Sequence, residues 1–413
     1  MPPLGAGVEF LDEPAAVFGG LLIAGALASG LAKRSFLSLT AAFVVAGFLL
    51  GRGGLEVLDL DPQSSFVEGL AVVALILILF RDGLEVEEEM LQTAWHLPLR
   101  KLVLAMPLTA ILVALLTHVV TDLDWTESFL LGALLSPTDP VLSSSVVTNP
   151  RVPRIIRHSL NLESGLNDGL ALPAVLAFTA AAESREDFVW WEFVLQDVGL
   201  GFAAGIAIAF LASRLMPRAG GLREEITAHQ KSLYALGVAF AAYGTAVLPP
   251  EGNGFIAVFV AAIALGIWRP DIRECFEARS EDVIEVVKLG VFLVFGAILT
   301  FDGLFRDGWA AVAIAVFTLL VARPVAVFAA LAGTRQVDAA GKAFMAWFGP
   351  KGVATMTFAL FVLGSGAPEG ERIADIAGLV VLTSVIAHGL TDQPGAEWMA
   401  RRAEHEPRPV GAA

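Results

Sequence analysis

Two short polar runs interrupt long apolar stretches of the sequence. The first is Ser136-Pro137-Thr138-Asp139-Pro140, and the second is Asn161-Leu162-Glu163-Ser164-Gly165-Leu166-Asn167-Asp168. Their carboxylate, hydroxyl and amide oxygens are ligands that suit a small cation, and the carboxylates can also take up protons. An ionisable side chain at bilayer depth costs at least about 2.5 kcal/mol. We therefore expect these side chains to act on an ion or a proton.

The second run gathers its polar residues on one face of a helix. Glu163, Ser164, Asn167 and Asp168 occupy positions i, i+1, i+4 and i+5. Residues four apart lie one above the other, so Ser164 and Asp168 form one row, and Glu163 and Asn167 form the next. The alternative interpretation is a polar network that only joins helices.

The first run predicts a broken helix. Pro137 and Pro140 both lack a backbone N–H, so the preceding carbonyl groups lose their partners. Broken backbone is tolerated in a membrane only where protein buries it or where it lines a wet cavity. A proline kink, with Thr138 and Asp139 bonding the freed backbone, is the alternative.

A third run, Trp347-Phe348-Gly349-Pro350-Lys351-Gly352, interrupts a later apolar stretch in a similar way. Lys351 is followed by about twelve mostly apolar residues, which argues against an ammonium that reaches the membrane surface. Arg323 is also surrounded by apolar residues. Both cations therefore need a partner or a water-filled cavity.

The composition is that of a polytopic membrane protein. Hydrophobic residues make up 56% of the chain, charged residues only 17%, and the mean hydropathy is +0.71. A span needs about 20 apolar residues. The sequence predicts thirteen helices, of which 36–51 and 255–268 are short. They lie near 15–32, 36–51, 66–84, 101–121, 128–148, 159–182, 190–216, 232–249, 255–268, 284–302, 308–332, 342–363 and 373–390.

The basic residues predict the orientation of these helices, since Lys and Arg collect in cytoplasmic connections. With the N-terminus outside, most of the 27 Lys and Arg residues fall inside, including Arg81, Lys101 and Lys288. The outward connections hold only Arg52, Arg185, Arg306 and Arg372.

This topology divides a transmembrane domain, 1–390, into two sets of six helices of opposite orientation, about 15–182 and 232–390, with 190–216 as a linker helix. A short cytoplasmic tail, 391–413, follows. Such inverted repeats place broken helices and a binding site near the bilayer midplane. The expected fold is all-α, with Asp139 and Lys351 compensating the ends of two crossing broken helices.

Other features exclude several classes of protein. The net charge of −15 argues against a nucleic-acid partner. The single Cys275 excludes a disulfide within one chain. The first twelve residues lack a basic segment and contain Glu9 and Asp12, so no cleavable signal peptide is expected.

Taken together, these motifs resemble the monovalent cation/proton antiporter-1 family, which includes prokaryotic and animal sodium/proton exchangers. The resemblance covers nearly the whole chain. It rests on Thr138-Asp139-Pro140, Glu163-Ser164 with Asn167-Asp168, Val321-Ala322-Arg323-Pro324, Gly349-Pro350-Lys351-Gly352, and the segment from Ser384 to Gly389.

The resemblance implies roles for individual residues. Asp168 would carry the ion, with Asp139, Ser164 and the backbone of Thr138 as further ligands and Asn167 as support. Glu163 would form a structural ion pair with Arg323. A homodimer in a prokaryotic plasma membrane and sodium/proton exchange without a cofactor are also expected.

The chain departs from the family pattern at two places. Many members have an acidic residue directly after the Phe of a Phe-x-x-Gly-Leu sequence, where this chain has Phe80-Arg81-Asp82-Gly83-Leu84. Asp82 is a possible substitute. Lys351 stands where Arg is common, which keeps the charge but loses the bidentate fork.

The expected mechanism is competition at one carboxylate. Burial favours the protonated form of an acid such as Asp168, whereas a dehydrated cation binds only the ionised form. Asn167 in place of a second Asp is similar to the electroneutral branch, which predicts one cation per proton. Oxygen ligands favour Na⁺ and Li⁺, and K⁺ stays open.

Two other classes of function, a protease and a channel, are alternatives to an antiporter. An intramembrane aspartyl protease could share a proton between Asp139 and Asp168, but the sequence around these residues does not resemble such enzymes. Gly364-Ser365-Gly366 is a helix end rather than the setting of a serine nucleophile. A channel would conduct ions without proton coupling.

Overall fold

A computed structural model describes residues 16–23, 39–86, 95–139, 144–184, 188–217 and 226–405. Within these ranges the regular structure is entirely helical, which confirms the all-α prediction. The predicted first helix is described only over 16–23. Pro140 and the end of the predicted tail lie outside the described residues.

The described ranges contain sixteen helices, and several are apolar. They are α1 (16–23), α2 (Leu39–Leu50), α3 (Ser65–Leu84), α4 (His96–Val120), α5 (Trp125–Leu134), α6 (Ser144–Thr148), α7 (Arg154–Ser184), α8 (Trp190–Leu215), α9 (Ala228–Ala246), α10 (Gly254–Trp268), α11 (Pro270–Ile298), α12 (Phe301–Leu304), α13 (Trp309–Ala330), α14 (Ala339–Trp347), α15 (Val353–Ser365) and α16 (Gly370–His405).

Each predicted apolar stretch coincides with a helix or with a broken pair of helices. The stretches 128–148 and 342–363 are the two broken ones, as α5 with α6 and α14 with α15. Five of the described helices, α4, α7, α8, α13 and α16, are individually long and apolar enough to cross a membrane. The number of spans and their orientation stay predictions.

Two helices extend well beyond their predicted ends. α11 begins at Pro270 rather than near 284, and α16 continues to His405 rather than ending near 390. The added turns are rich in charged residues. Hydropathy detects the part of a helix that is apolar enough for the bilayer, so it misses polar turns on the same helix.

Close backbone contact fixes α2 against α11. A Cβ atom on Gly47 would overlap the carbonyl oxygen of Leu293, and one on Gly296 would overlap that of Val44. Small residues permit this approach in membrane helices. Farther along α11, the Phe276 ring packs edge-on against Phe80 of α3, with their centroids 5.4 Å apart. These contacts hold α11 and α3 as neighbouring walls of the site described below.

α4 and α13 share a local irregularity. Each contains a π-helical segment, Lys101–Ala105 in α4 and Thr318–Ala322 in α13. Pro107 and Pro324 follow closely, and proline cannot donate the usual backbone hydrogen bond. Wider turns of this kind often occur at functional sites. Here they lie directly beside Lys101 and Arg323.

Candidate functional site

The two broken helices meet and bond to each other. The Asp139 N–H donates to the Pro350 carbonyl oxygen at 2.9 Å. In return the Val353 N–H donates to Asp139 Oδ2 at 3.0 Å, and the Thr355 hydroxyl donates to the Leu134 carbonyl at 3.1 Å. The segment after α5 and the segment before α15 therefore form one joint.

Charges of opposite sign stabilise the helix ends at this joint. Lys351 is fully buried, and its Nζ donates to the carbonyl oxygens of Ser136 at 3.1 Å and Pro137 at 2.9 Å. These carbonyls follow the end of α5, where a helix carries partial negative charge. Asp139 accepts from the first residue of α15, where the partial charge is positive. A cation thus lies at the negative end of one broken helix, and an anion lies at the positive end of the other.

Glycine is required where the two segments touch. A Cβ on Gly352 would collide with the Asp139 carboxylate, and one on Gly349 would collide with the Arg323 guanidinium. Gly-Pro-Lys-Gly therefore supplies the two glycines that let charged side chains approach the backbone.

α16 supports the second break. The Lys351 N–H donates to Ser384 Oγ at 2.8 Å. His388 is buried and places Nε2 2.8 Å from the Trp347 carbonyl oxygen. Nδ1 of the same ring lies 2.8 Å from the Ser384 carbonyl oxygen. Ser384 and His388 thus hold both sides of the interruption.

The Thr138 carbonyl is the meeting point of the predicted ion ligands. Ser164 Oγ donates to it at 3.1 Å, and Asn167 Nδ2 donates to it at 2.7 Å. The Asn167 amide also donates to Thr138 Oγ1 at 3.0 Å. These bonds hold the segment around Thr138 against the polar face of α7, which also carries Asp168.

Asp168 is a buried carboxylate whose hydrogen bonding is incomplete. It is 7% exposed, and within the described chain its Oδ1 atom has no hydrogen-bond partner. It lies one turn after Ser164, in the same row of α7. A buried polar atom without a partner costs roughly 1–3 kcal/mol, and more for a charged group. A proton or a cation would remove that cost.

Glu163, in contrast, is fully engaged. One carboxylate oxygen is 2.6 Å from Lys101 Nζ, and the other is 3.0 Å from an Arg323 nitrogen. Lys101 also donates to the Ser159 carbonyl at 3.0 Å. Arg323 reaches the Met345 carbonyl at 3.3 Å. This network joins α4, α7, α13 and α14.

The position of Lys101 corrects the sequence interpretation. It was assigned to an inward connection, but it is fully buried and bonded to Glu163. A lysine at the start of an apolar stretch looks the same whether it faces solvent or protein. The one sequence signal was the apolar run that follows it without a break. Lys288, assigned to a loop as well, is also buried, at 2% exposed.

A cavity of about 610 Å³ opens beside the site; we call it the Ser164 cavity. α3 contributes Arg81 and Asp82 to its wall, and Glu85 follows directly after the end of that helix. Asp82 is buried and bonded to Arg81 at 2.5 Å. The Phe-Arg-Asp-Gly-Leu departure therefore places an ion pair in the wall. α11 forms a neighbouring wall with a stripe of residues: Phe276, Glu277, Ser280, Glu281, Ile284, Glu285 and Lys288.

Ion pairs also occur at helix ends away from the cavity. The Arg269 guanidinium bonds to Asp271 and, with Lys231, lowers the pKa of that carboxyl to about 2. In the connection between α4 and α5, Asp122 bonds to Arg372, which lowers the pKa of the Asp122 carboxyl. These pairs join segments far apart in the chain.

Two crossing broken helices over a buried cluster of carboxylates define a secondary transporter rather than an enzyme. The family model "Sodium/hydrogen exchanger, transmembrane" matches residues 20–398. The chain belongs to the sodium/hydrogen exchanger family, as the motifs predicted.

Curated relatives agree with this assignment. The chain is 26% identical over 412 residues to the K(+)/H(+) antiporter NhaP of Alkalimonas amylolytica, covering 97% of this chain and 69% of that protein. It is 28% identical over 283 residues to the Na(+)/H(+) antiporter NhaG of Bacillus atrophaeus, covering 65% and 52%.

A solved structure has the same fold. The sodium proton antiporter MjNhaP1 from Methanocaldococcus jannaschii, determined at pH 8, superimposes with a TM-score of 0.78. The match covers 96% of this chain and 99% of that one, at 19% identity. The antiporter fold predicted from sequence is confirmed.

Proposed function

We propose that the protein exchanges one monovalent cation, Na⁺ or Li⁺ with K⁺ as a further candidate, for one proton across a membrane, with Asp168 binding each in turn. The observation that carries the proposal is the buried Asp168 carboxylate with its unpartnered Oδ1. Membership of the exchanger family supports the coupling of a cation to a proton.

The surrounding oxygens support a cation site. The Thr138 carbonyl, the Ser164 hydroxyl and the carboxylates of Asp168 and Asp139 form a hard donor set, which suits alkali ions. Ser164 can donate its proton to Thr138 and still offer an oxygen lone pair to a cation. Asn167 holds the Thr138 segment in place.

The charges favour one cation per proton. Glu163 is neutralised by Lys101 and Arg323, and Asn167 cannot ionise. Asp82 is paired with Arg81, and Asp139 accepts a hydrogen bond from the Val353 N–H, so we assign the exchange to Asp168. A protonated Asp168 and a cation-loaded Asp168 carry the same net charge, so a cycle that moves only loaded forms transfers no net charge.

The Ser164 cavity supports a route between the site and one side of the membrane. Its wall includes Glu277 and Glu281, which the distribution of basic residues assigns to the cytoplasmic side. Movement of the joint between the broken helices would then close this route and open the opposite one. The N-terminus would lie outside and the C-terminus inside a prokaryotic plasma membrane.

Two further expectations also stay part of this proposal. One is the pair of repeats, 15–182 and 232–390, with the linker 190–216, and the other is a homodimer. The paired breaks after α5 and α14 support the repeats. Cross-linking of purified protein in liposomes would test the dimer, and a monomeric product at all lipid ratios would contradict it.

The function is tested in everted vesicles from an antiporter-deficient strain. A proton gradient is formed, and a pH-sensitive dye is followed as Na⁺, Li⁺ or K⁺ is added between pH 6 and 9. We expect the intact protein to dissipate the gradient and the Asp168→Asn variant not to. No response to any ion, with protein present in the membrane, would overturn the proposal.

Charge balance needs a second measurement. Purified protein in liposomes should exchange cations at the same rate with and without an imposed membrane potential. A rate that follows the potential would contradict the one-to-one ratio. Uptake without any proton counterflow would instead indicate a channel.

A further inference from the structure

Three buried lysines lie in this part of the molecule, and one of them differs from the others. Lys101 donates to Glu163 and Ser159, and Lys351 donates to Ser136 and Pro137. Lys288 is only 2% exposed and lines the Ser164 cavity, and it forms no ion pair within the described residues. An ammonium inside a membrane protein needs a partner or a water-filled cavity, so such a residue usually has a function.

Lys288 faces the Ser164 cavity. Glu277, Glu281, Ile284 and Lys288 recur at intervals of three or four residues, so they lie on one side of α11. All four line the cavity, as does Glu285. Lys288 is the residue of this stripe nearest the middle of the predicted 284–302 span. The stripe therefore runs from exposed and half-buried carboxylates to a lysine that is almost fully buried.

The charge of Lys288 reaches the ion site. It interacts electrostatically with Asp168 and with Glu85. Arg81 also acts on both carboxylates, but it is itself paired with Asp82. Ser164, one turn before Asp168, lines the same space. A cation that enters through this cavity approaches Asp168 against the repulsion of a fixed positive charge.

We propose that Lys288 is an affinity-determining residue, whose ammonium acts as a tethered cation and weakens cation binding at Asp168 from the side of the Ser164 cavity. This inference rests on the exchange proposed above and adds to it. The acidic residues of the stripe attract cations to the cavity, while Lys288 limits how tightly the site retains them. Release into the cavity is thereby favoured.

The test compares Lys288→Gln and Lys288→Met, which remove the charge, with Lys288→Arg, which keeps it. Exchange is measured in everted vesicles, where the added Na⁺ faces the cavity, at constant ionic strength and at an alkaline pH where protons compete least. Lys342→Gln is the matched control. Lys342 donates to the Thr334 carbonyl and is not part of the cavity wall.

Removal of the charge should lower the half-saturating Na⁺ concentration about three- to tenfold, the effect of a partly screened like charge. The maximal rate should change less than that concentration. Lys288→Arg and Lys342→Gln should stay within about twofold of the intact protein. If Lys288 had only a structural role, the neutral variants would instead lower the maximal rate. The half-saturating Na⁺ concentration of Lys288→Arg would then not differ from theirs.

Other outcomes separate the two proposals. An intact protein that exchanges Na⁺ while both neutral variants keep its half-saturating concentration, or raise it, would overturn only the role of Lys288. If one neutral variant fails to insert, the other gives the result. An intact protein that exchanges none of Na⁺, Li⁺ and K⁺, and is stabilised by none of them against heat, would overturn both proposals.

Discussion

Glu163 and Asp168 are both buried carboxylates on α7, five residues apart, but their surroundings differ. Both oxygens of Glu163 have cationic partners, Lys101 and Arg323. Asp168 has an oxygen without a hydrogen bond in the described chain. A helix advances about 100° per residue, so one faces the α4 and α13 cations and the other faces the broken segment.

The difference separates stability from transport. A carboxylate held by two cations cannot accept a third without breaking buried ion pairs, so Glu163 suits a permanent joint between helices. A buried carboxylate with a free oxygen gains from either a proton or an alkali ion. Four substitutions test this contrast, beginning with the largest expected effect.

Asp168→Asn should reduce exchange at least about a hundredfold, because an amide can neither ionise nor neutralise a cation. Dye-monitored exchange in everted vesicles measures the loss. Glu85→Gln is the matched control, since this carboxylate also lines the Ser164 cavity but is largely exposed. Exchange by Asp168→Asn at more than a tenth of the intact rate would contradict the role of Asp168.

Glu163→Gln should destabilise the fold by about 3–5 kcal/mol, because it leaves Lys101 and Arg323 buried without an anion. Thermal unfolding in detergent is the measurement, and the midpoint should fall clearly. Adding Lys101→Met should recover part of the loss, since one unpaired cation is then removed. A Glu163→Gln protein as stable as the intact one would contradict this prediction, since other groups would then stabilise the buried charges of Lys101 and Arg323.

Ser164→Ala should raise the half-saturating cation concentration about fivefold, equivalent to one hydrogen bond or ligand of roughly 1 kcal/mol. Ser159→Ala is the control on the same helix, because the Ser159 hydroxyl has no partner in the described part of the chain. Equal affinities in both variants would remove Ser164 from the ion site.

Asp271→Asn should cost less than about 1 kcal/mol, because solvent screens the Asp271 carboxylate. The buried Arg269 also keeps its hydrogen bonds to the carbonyl oxygens of Ser213, Met216 and Pro217. Asp271 lies between Arg269 and Lys231, as Glu163 lies between two cations, but its side chain is 38% exposed. Its folded pKa of about 2 is below the ordinary 3.8, so its contribution is complete above pH 3.8 and is lost as the pH falls towards 2. Unfolding midpoints between pH 5 and 8 should therefore show a constant, small difference. A difference as large as that of Glu163→Gln would contradict the effect assigned to burial.

Much of this molecule could be predicted from local sequence. Apolar length predicted the helices, because lipid requires about 20 apolar residues per span. Pro137 and Pro350 marked the breaks, because proline removes a backbone donor. The i, i+1, i+4, i+5 spacing predicted one polar face on α7. Ser164 and Asn167 of that set bond to the same Thr138 carbonyl, whereas Glu163 bonds to Lys101 and Arg323 instead.

The sequence by itself determined the helical class, the broken helices and the carboxylates available for an ion. The resemblance to the exchanger family already implied that Glu163 pairs with Arg323 and that Asp168 carries the ion. Only the tertiary structure showed that Lys101 is the second partner of Glu163, because the two partners are 62 and 160 residues away in the chain. It also decided that Lys101 forms an ion pair, whereas Lys288 forms none within the described residues. A lysine beside an apolar stretch has the same local sequence in either case, and only the packing of distant helices determines whether an anion meets it.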